Sequence, residues 1–206
     1  MSIRGLYVII DPDACGGRDP VDVARQALAG GASIIQWRDK RREKGVQLAD
    51  ARALGKLCKE YGALYIVNDH VDLALAVAAD GVHVGQGDLP VEVVRGLVPA
   101  SFVVGASTNN VDEARAAEAA GASYIAVGSM YTTASKEPER TRAASPERLR
   151  EVKDAVGVPV VGIGGINASN IAEVVAAGAD AVAVISAVCG AEDPKAAAAA
   201  LVAAFN

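Results

Sequence analysis

The sequence predicts a closed (β/α)8 barrel, an α/β TIM barrel in which residues 1–206 form a single domain. Three observations favour this fold. Short β-branched and aliphatic runs alternate with helical patterns along the whole chain, giving eight strand–helix units. The runs are apolar throughout, as expected of parallel strands that are buried on both faces. Apolar residues make up 51% of the chain and aromatic residues only 4%, which suits packed helices and parallel strands better than a β-sandwich.

Each strand–helix unit can be located from its apolar pattern. The predicted strands lie at residues 6–10, 33–37, 64–67, 81–84, 102–105, 124–127, 158–162 and 180–184. The predicted helices follow at 20–30, 46–60, 70–78, 90–97, 111–120, 145–155, 168–177 and 193–205. A repeated cassette of Ala-rich helix, glycine and β-branched run supports these boundaries, as in Ala120-Gly121-Ala122. A glycine just after a helix can adopt the left-handed conformation that satisfies the last carbonyl groups. The last helix begins at Asp193-Pro194, a typical N-terminal cap followed by a first-turn proline.

An open, doubly wound parallel sheet is the alternative fold. Such sheets usually have fewer strands and a glycine-rich turn after the first one. Here the first strand is followed by Asp11-Pro12-Asp13, and the strand–helix order continues without a switch. The closed barrel is therefore the preferred prediction.

Composition and charge limit the classes of function. The formal net charge is −5 with both signs scattered, so a nucleic-acid-binding surface is not expected. The three cysteines, Cys15, Cys58 and Cys189, form no CxxC pair, which argues against a disulfide framework or a zinc site. The apolar region 174–191 is interrupted by a glycine and an aspartate and is too broken for a membrane span. Since no signal-peptide pattern is evident either, we expect a cytoplasmic protein without nucleic-acid or membrane partners.

Two acidic side chains follow neighbouring predicted strands. Asp69 comes just after strand 64–67, and Asp88 comes shortly after strand 81–84. In a (β/α)8 barrel, functional groups gather where the strands end at the C-terminal rim, so both acids are expected at one rim. Mg2+ prefers oxygen ligands and is commonly bound by one or two carboxylates together with substrate phosphates. The pair therefore predicts a magnesium site. The alternative is that each acid only caps the helix that follows it.

A basic segment follows the second predicted strand. Gln36, Arg38 and Lys40 would share one face of an extended chain, which suits the binding of an anion together with a hydrogen-bonding ring. The alternative is a solvated basic loop, and we prefer that interpretation for the next two residues, Arg41 and Arg42.

Glycines and hydroxyl groups follow the later strands. Gly164-Gly165 precedes a helix after the seventh strand, and Ile185-Ser186 follows the eighth. These two positions form the usual phosphate site of the barrel architecture, because glycines let backbone N–H groups approach a phosphate. Ser107 follows the fifth strand, and Lys136 lies in the long irregular stretch after the sixth, where binding loops are common.

The rim is thus predicted to contain two anion sites. One combines a divalent cation on Asp69 and Asp88 with basic side chains, which is enough charge for a diphosphate. The other holds a single phosphate on backbone amides. A nucleophile or general base is not evident. This pattern fits a reaction in which diphosphate departs and a second phosphorylated substrate supplies the attacking atom.

The motifs, taken in order, resemble those of thiamine phosphate synthases, which are (β/α)8 enzymes that join the pyrimidine and thiazole halves of thiamine. The resemblance runs essentially end to end. It is carried by Gln36-x-Arg38-Asp39-Lys40, Val67-Asn68-Asp69, Gly81-Val82-His83-Val84-Gly85-Gln86-x-Asp88, Gly105-x-Ser107-Thr108, Gly162-Ile163-Gly164-Gly165-Ile166 and Val184-Ile185-Ser186-Ala187. The family's strand-6 loop commonly reads Pro-Thr-x-Thr-Lys. Here it is Thr132-Thr133-Ala134-Ser135-Lys136, which keeps the hydroxyls and the lysine but loses the proline.

The resemblance implies substrates, a metal and residue roles. The substrates would be 4-amino-2-methyl-5-hydroxymethylpyrimidine diphosphate and a thiazole phosphate, expected in its carboxylated form, and one Mg2+ per subunit would lie on Asp69 and Asp88. The pyrimidine diphosphate would contact Gln36, Arg38, Lys40, Asn68, Ser107 and Lys136. Of these, Arg38, Lys40, Ser107 and Lys136 would act in catalysis. The thiazole phosphate would contact Thr133, Ser135, Gly165, Ile185 and Ser186.

The family mechanism implied by the resemblance is dissociative. The electron-rich aminopyrimidine would stabilise a methylene cation after diphosphate leaves, and the thiazole nitrogen would capture it, so a strong base is not needed. The sequence leaves open whether the protein is a homo-oligomer.

Three other functions fit parts of the pattern. A related thiazole tautomerase on the same fold is expected to lack the paired acids and the Gln-x-Arg-x-Lys run. A sugar-phosphate epimerase or aldolase would need an acid/base pair or a Schiff-base lysine in the barrel, whereas the seventh strand ends in glycines. A non-catalytic binding protein would bind both substrates and release no pyrophosphate.

Overall fold

The computed structural model describes residues 2–131 and 145–205, and its central feature is a closed barrel of parallel strands. The strands are β1 (Gly5–Ile10), β2 (Ile34–Trp37), β3 (Leu64–Asn68), β4 (Gly81–Val84), β5 (Val103–Thr108), β6 (Tyr124–Gly128), β7 (Val160–Ile163) and β8 (Ala181–Val184). They are hydrogen-bonded in sequence order, and β8 pairs with β1 to close the barrel. The predicted (β/α)8 fold is confirmed, and the doubly wound alternative is wrong.

Helices connect the strands on the outside of the barrel. They are α1 (Pro20–Ala29), α2 (Lys44–Tyr61), α3 (Val71–Ala76), α4 (Val91–Leu97), α5 (Val111–Ala119), α6 (Pro146–Ala155), α7 (Ile171–Ala176), α8 (Ser186–Cys189) and α9 (Pro194–Val202), with 3-10 helices at Pro12–Cys15 and Ala203–Phe205. The sequence did not predict α8, because four residues are too few for a periodic pattern. The last predicted helix is α-helical only to Val202 and ends in a 3-10 turn.

The helix ends follow the local signals in the sequence. The Asp193 side chain accepts a hydrogen bond from the backbone N–H of Ala196 at 3.0 Å, and Pro194 occupies the first helical position of α9. After α5, Gly121 has a φ of 97°, and the N–H of Ala122 bonds back to the carbonyl of Ala117 at 2.9 Å. The glycine cassettes therefore end helices and turn the chain directly into the next strand.

The strands bury a different set of side chains on each face. In β1, Tyr7 and Ile9 point into the barrel, while the alternate residues Leu6 and Val8 pack against the helices. The same alternation in β2 turns Gln36 inward, whereas Trp37 packs in the outer layer. Trp37 is therefore a packing residue, and the polar residues of interest lie on the inner face or at the rim.

The loop between β2 and α2 is organised around a buried carboxylate. Asp39 accepts hydrogen bonds at 3.0 Å from the backbone N–H groups of Arg41 and Arg42, and it pairs with the Arg42 guanidinium. Burial opposes the charge of Asp39, but the two N–H groups and the guanidinium outweigh it and hold the pKa of the carboxyl below its usual range. The buried Gln47 side chain donates to the carbonyls of Asp39 and Arg42 and fixes the loop against α2.

Asp39→Asn should destabilise the protein at neutral pH but not in acid. Since the pKa of Asp39 is lower in the folded state, its carboxylate stabilises the fold above the pKa of the unfolded chain. That stabilisation is lost as pH falls through the folded pKa. We expect the free energy of unfolding at pH 7 to drop by about 1–3 kcal/mol, and the difference from wild type to shrink below about pH 4. Urea unfolding at both pH values measures this.

The matched control is Asp154→Asn, at an exposed position on α6. It should change the free energy of unfolding by less than about 0.5 kcal/mol at either pH. Equal losses in the two variants, or an Asp39→Asn deficit that persists in acid, would contradict the role given to Asp39.

Candidate active site

A cavity of about 180 Å³ opens at the C-terminal rim of the barrel, and every strand or the loop that follows it contributes to its wall. Ten of the sequence-predicted site residues line it: Gln36, Arg38, Lys40, Asn68, Asp69, Asp88, Ser107, Gly165, Ile185 and Ser186. The other three, Thr133, Ser135 and Lys136, lie outside the described residues. The strand-end rule therefore brought together all the predicted residues that the structure describes.

The two acids lie side by side at the ends of β3 and β4. Asp69 has a left-handed backbone, with φ at 61°, and its N–H bonds to the carbonyl of His83 at 2.8 Å. This bends the chain at the strand end, a conformation that aspartate adopts more readily than most residues. The Asp88 carboxylate accepts the N–H of Gly85 at 2.8 Å. Both acids line the cavity, and the N-cap positions of α3 and α4 are His70 and Pro90, so the helix-cap alternative is wrong.

The acid pair carries unfavourable electrostatics, which the Lys40 ammonium partly relieves. Burial raises the pKa of Asp69, the Lys40 ammonium 3.4 Å away opposes this rise, and the neighbouring Asp88 carboxylate adds to it. Across residues 2–131 and 145–205, no group of three or more His, Cys, Asp and Glu side chains converges as a metal cage. A pair of carboxylates is nevertheless enough for Mg2+ when substrate phosphates and water complete its coordination.

The basic side chains of the β2 end divide into two groups. Arg38 pairs with Asp11, which follows β1, and these side chains are only 21% and 10% exposed. Arg41 is 77% exposed and pairs with Asp13 away from the cavity. The solvated-loop interpretation is thus correct for Arg41, whereas Arg38 is held at the cavity wall. Asp11 was not among the predicted site residues, although it also follows directly after a strand, β1.

Hydrogen bonds connect Gln36 to Ser107 across the cavity floor. Gln36 Nε2 donates to the Tyr7 hydroxyl at 2.6 Å, and the Tyr7 and Tyr124 hydroxyls are 3.0 Å apart. The Tyr124 hydroxyl lies 2.9 Å from His83 Nδ1, and His83 Nε2 lies 2.9 Å from Ser107 Oγ. His83 is therefore a hydrogen-bonded interior residue that also lines the cavity. Burial raises the pKa of Tyr7 and of Tyr124, so both phenols stay neutral.

Tyr7 and Tyr124 are site residues that the sequence analysis missed. Both stand at inward-facing positions of strands that are otherwise aliphatic. A phenol on the inner face of a barrel strand needs a hydrogen-bond partner in the interior, and this was the signal that could have identified them.

The rim beyond β7 is shaped by glycines. Gly164 has a φ of 102°, and a Cβ atom there would lie 2.0 Å from Ser129 Oγ, so no side chain fits. Gly165 has a φ of 68° and lines the cavity next to Ile185 and Ser186, where β8 leads into α8. The rim here combines glycine backbone and the Ser186 hydroxyl with aliphatic side chains such as Ile166 and Ile185.

None of the helices in the described segments combines the length and apolar character needed to cross a membrane.

Comparisons with known proteins agree with the predicted resemblance. A family model described as thiamine monophosphate synthase matches residues 6–188. The thiamine-phosphate synthase of Moorella thermoacetica is 50% identical over 196 residues, which cover 94% of this chain and 91% of that protein. The thiamine-phosphate synthase of Methanospirillum hungatei is 46% identical over 193 residues, covering 94% of this chain and 93% of that protein.

Solved structures give the same result. The thiamine phosphate pyrophosphorylase from Pyrococcus furiosus matches with a TM-score of 0.89 and 42% identity, covering 97% of this chain and 94% of that one. A 3-hexulose-6-phosphate synthase matches with a TM-score of 0.70 at 20% identity, a likeness that shows the fold alone. The resemblance inferred from the motifs is therefore confirmed, and the chain belongs to the thiamine monophosphate synthase family of enzymes.

Proposed function

We propose that the protein couples 4-amino-2-methyl-5-hydroxymethylpyrimidine diphosphate with a thiazole phosphate to give thiamine phosphate and diphosphate. The thiazole is expected in its carboxylated form, in which case CO2 is a further product. The observation that carries this proposal is the division of the cavity wall. The acids and cations stand at the ends of β2, β3 and β4, and the glycine rim stands at the ends of β7 and β8. Because β3 and β7 are four places apart in the closed strand order, the two regions face each other. Two phosphorylated substrates would thus be held on opposite sides.

The diphosphate would bind on the charged side. Arg38 is fixed by Asp11, and Lys40 is 57% exposed at the cavity edge, so both can contact a ligand anion. Asn68 lines the same wall and offers an amide. By the family resemblance, Lys136 would add a further cation to this group. Fixed cations of this kind stabilise the negative charge that develops on a departing diphosphate.

Mg2+ would be held by Asp69 and Asp88. The fit rests on the electrostatics of the pair: Asp69 is partly buried and lies beside Asp88, and burial and the neighbouring charge both raise its pKa. A divalent cation would compensate both effects. When bound, it would supply positive charge to the diphosphate oxygens.

The thiazole phosphate would bind on the glycine side. Gly165, Ile185 and Ser186 line the cavity and can offer backbone N–H groups and a hydroxyl to a phosphate, and Gly165 has no side chain that would keep a phosphate away from its N–H. By the family resemblance, Thr133 and Ser135 would complete this site. The two substrates would then be oriented with the thiazole nitrogen facing the pyrimidine methylene carbon.

The proposed substitution is dissociative and needs no general base. The C–O bond to the diphosphate breaks first, and the bonding electrons leave with the diphosphate. The aminopyrimidine ring delocalises the resulting positive charge. Gln36 and Ser107 line the cavity and would contact this substrate. The thiazole nitrogen then uses its lone pair to form the new C–N bond. With the carboxylated thiazole, the bond between the ring carbon and the carboxylate then breaks, CO2 leaves, and the ring carbon takes up a proton. No proton has to be removed from the attacking atom, which agrees with a cavity floor whose polar groups bond to one another.

A pyrophosphate-release assay tests the proposed reaction directly. Release should require both substrates together with Mg2+, and it should stop in excess EDTA and recover when Mg2+ is restored. A thiazole tautomerase would keep converting its substrate in EDTA without releasing pyrophosphate. Release that continues in EDTA would contradict the metal assignment, and no release under any condition would contradict the coupling reaction.

Asp88→Asn should lower kcat by roughly 100-fold or more. The substitution removes a carboxylate ligand and weakens Mg2+ binding, so less positive charge is available to neutralise the leaving diphosphate. The half-saturating Mg2+ concentration should rise in parallel. The matched control is Asp72→Asn, in α3, where the carboxylate is 64% exposed and pairs with Lys44. Thermal melts establish that both variants are folded. A near-normal rate for Asp88→Asn at low Mg2+ would remove this residue from the metal site.

Ser186→Glu should raise the KM for the thiazole phosphate much more than the KM for the pyrimidine diphosphate. The introduced carboxylate would repel the thiazole phosphate on the glycine side, whereas the diphosphate binds across the cavity. Steady-state kinetics with one substrate varied at a time measures both constants. Ser101→Glu, at an exposed position before β5, is the control and should change neither. Equal increases in the two KM values would contradict the division of the cavity.

A further inference from the structure

The inner hydrogen bonds form one continuous chain whose two ends both reach the ligand cavity. Its order is Gln36, Tyr7, Tyr124, His83 and Ser107, and its four contacts measure 2.6, 3.0, 2.9 and 2.9 Å. The chain joins residues from β2, β1, β6, β4 and β5 through the interior of the barrel.

The rings in the middle of this chain are held rigidly. Tyr124 stacks on His83 with centroids 5.5 Å apart, and it meets the Tyr7 ring edge-on at 6.2 Å. Gly105 in β5 makes this possible, because a Cβ atom there would lie 2.1 Å from Cζ of Tyr124. The phenol of Tyr124 is therefore pressed against the β5 backbone, between its two partners.

Proton counting gives the chain a direction. A neutral tyrosine has one proton to donate, and burial keeps both phenols neutral. The Tyr7–Tyr124 and Tyr124–His83 contacts leave the donor open by distance alone. Because Gln36 Nε2 donates to Tyr7, however, the Tyr124 hydroxyl is the recorded partner left to accept the Tyr7 proton, and His83 Nδ1 is then the partner left to accept the Tyr124 proton. His83 then carries its proton on Nε2 and donates it to Ser107 Oγ. In this order each hydroxyl in the interior both accepts and donates.

The direction determines what each end offers to a ligand. With Nε2 engaged by Tyr7, Gln36 has its carbonyl oxygen Oε1 left to act as an acceptor in the cavity. With Oγ accepting from His83, the Ser107 hydroxyl has its own proton left to donate. Reversing the chain would require the Gln36 amide to turn over and every proton to shift, so that the two ends are coupled.

We propose that Tyr7, Tyr124 and His83 are positioning residues. They fix Gln36 to present an acceptor and Ser107 to present a donor to the pyrimidine diphosphate. The 4-amino group of the pyrimidine donates to Gln36 Oε1. A 4-oxo pyrimidine would place an oxygen against that acceptor, so the chain selects the amino substrate. This inference rests on the proposed function for the identity of the ligand. The direction of the chain does not depend on turnover.

The protonation of His83 tests the direction in the free protein. The whole protein contains two histidines, so His70→Gln leaves His83 as the sole source of imidazole signals. Nitrogen-15 NMR of this histidine-labelled variant at neutral pH distinguishes the two neutral tautomers. The inference requires a neutral ring with the proton on Nε2. A proton on Nδ1, or a mixture of tautomers, overturns it.

Tyr124→Phe breaks the middle of the chain and tests the selection. Binding of the pyrimidine diphosphate alone, measured by calorimetry, should weaken roughly tenfold, since the two hydrogen bonds of the Tyr124 hydroxyl are lost and the Gln36 amide is free to turn. Wild type should prefer the 4-amino over the 4-oxo pyrimidine diphosphate by roughly 100-fold or more, and Tyr124→Phe should lose most of this preference. Unchanged discrimination in the variant overturns the inference.

The matched control is Tyr65→Phe. Tyr65 is a buried tyrosine on β3 whose hydroxyl donates to the Ala51 carbonyl at 2.8 Å, outside the barrel interior. This control loses a buried hydrogen bond of the same kind, so it reports any general effect of destabilisation, and it should keep the preference for the amino pyrimidine. If Tyr124→Phe does not fold, Tyr7→Phe breaks the adjacent link, and the same loss of discrimination is required of it.

These measurements separate failure of this inference from failure of the proposed function. If wild type selects the amino pyrimidine, Tyr124→Phe loses that preference and His83 carries its proton on Nε2, the inference holds even when no pyrophosphate is released with the thiazole partner. If pyrophosphate is released but the proton resides on Nδ1, the coupling reaction stands and the inference fails.

Discussion

Closing eight parallel strands into a barrel turns every second side chain toward an interior that has no room for bulk water. A polar group placed there has to find its partners in the protein, because an unsatisfied buried donor or acceptor costs about 1–3 kcal/mol. The inner face of this barrel satisfies that condition with a chain of hydrogen bonds that includes both Tyr7 and Tyr124. The polar groups that reach the cavity are consequently already ordered before a ligand arrives, and little rotational freedom remains to be lost on binding.

The same constraint explains the arrangement of charges at the rim. Arg38 is largely removed from solvent, and its charge is tolerated because Asp11 lies beside it. Lys40 is more exposed and forms an ion pair with the partly buried Asp69. The Asp88 carboxylate also lies beside Asp69. The cations nearest the cavity are thus fixed by acids from the adjacent strand ends. An anionic ligand would meet groups whose positions do not depend on its own binding.

Much of this arrangement could be predicted from the sequence, because two regularities of the barrel act locally. Continuous apolar runs mark strands buried on both faces, and polar residues just after such runs lie at the C-terminal rim. This was sufficient to bring Asp69 and Asp88 together and to place Gln36 and Arg38 on one face. The cap interpretation of the two acids failed because the chain bends at Asp69 before α3 begins.

Contacts between residues on strands that are far apart in the sequence could not be predicted from local sequence patterns. Tyr7 and Tyr124 are 117 residues apart, and their contact arises only when the barrel closes. Asp11 follows β1 in the sequence just as Asp69 follows β3. Its ion pair with Arg38, however, forms only because β1 and β2 are paired in the barrel. The helix α8 was missed for a different reason, since its four residues contain no periodic signal.

Under the proposed function, the charges at the ends of β2, β3 and β4 make binding of Mg2+ and binding of the pyrimidine diphosphate depend on each other. Among the described residues, the acids Asp11, Asp69 and Asp88 outnumber the cations Arg38 and Lys40 by one. With Lys136, which the family resemblance adds, acids and cations balance, so a diphosphate ester with about three negative charges would meet no net positive charge there without a metal. A divalent cation without the diphosphate would have few ligands besides the two carboxylates. Each would therefore strengthen binding of the other, and because such coupling is reciprocal the metal and the pyrimidine diphosphate are expected to occupy the site together. Departure of the diphosphate after bond cleavage would in turn weaken retention of the metal, so that product release and metal release become parts of one event.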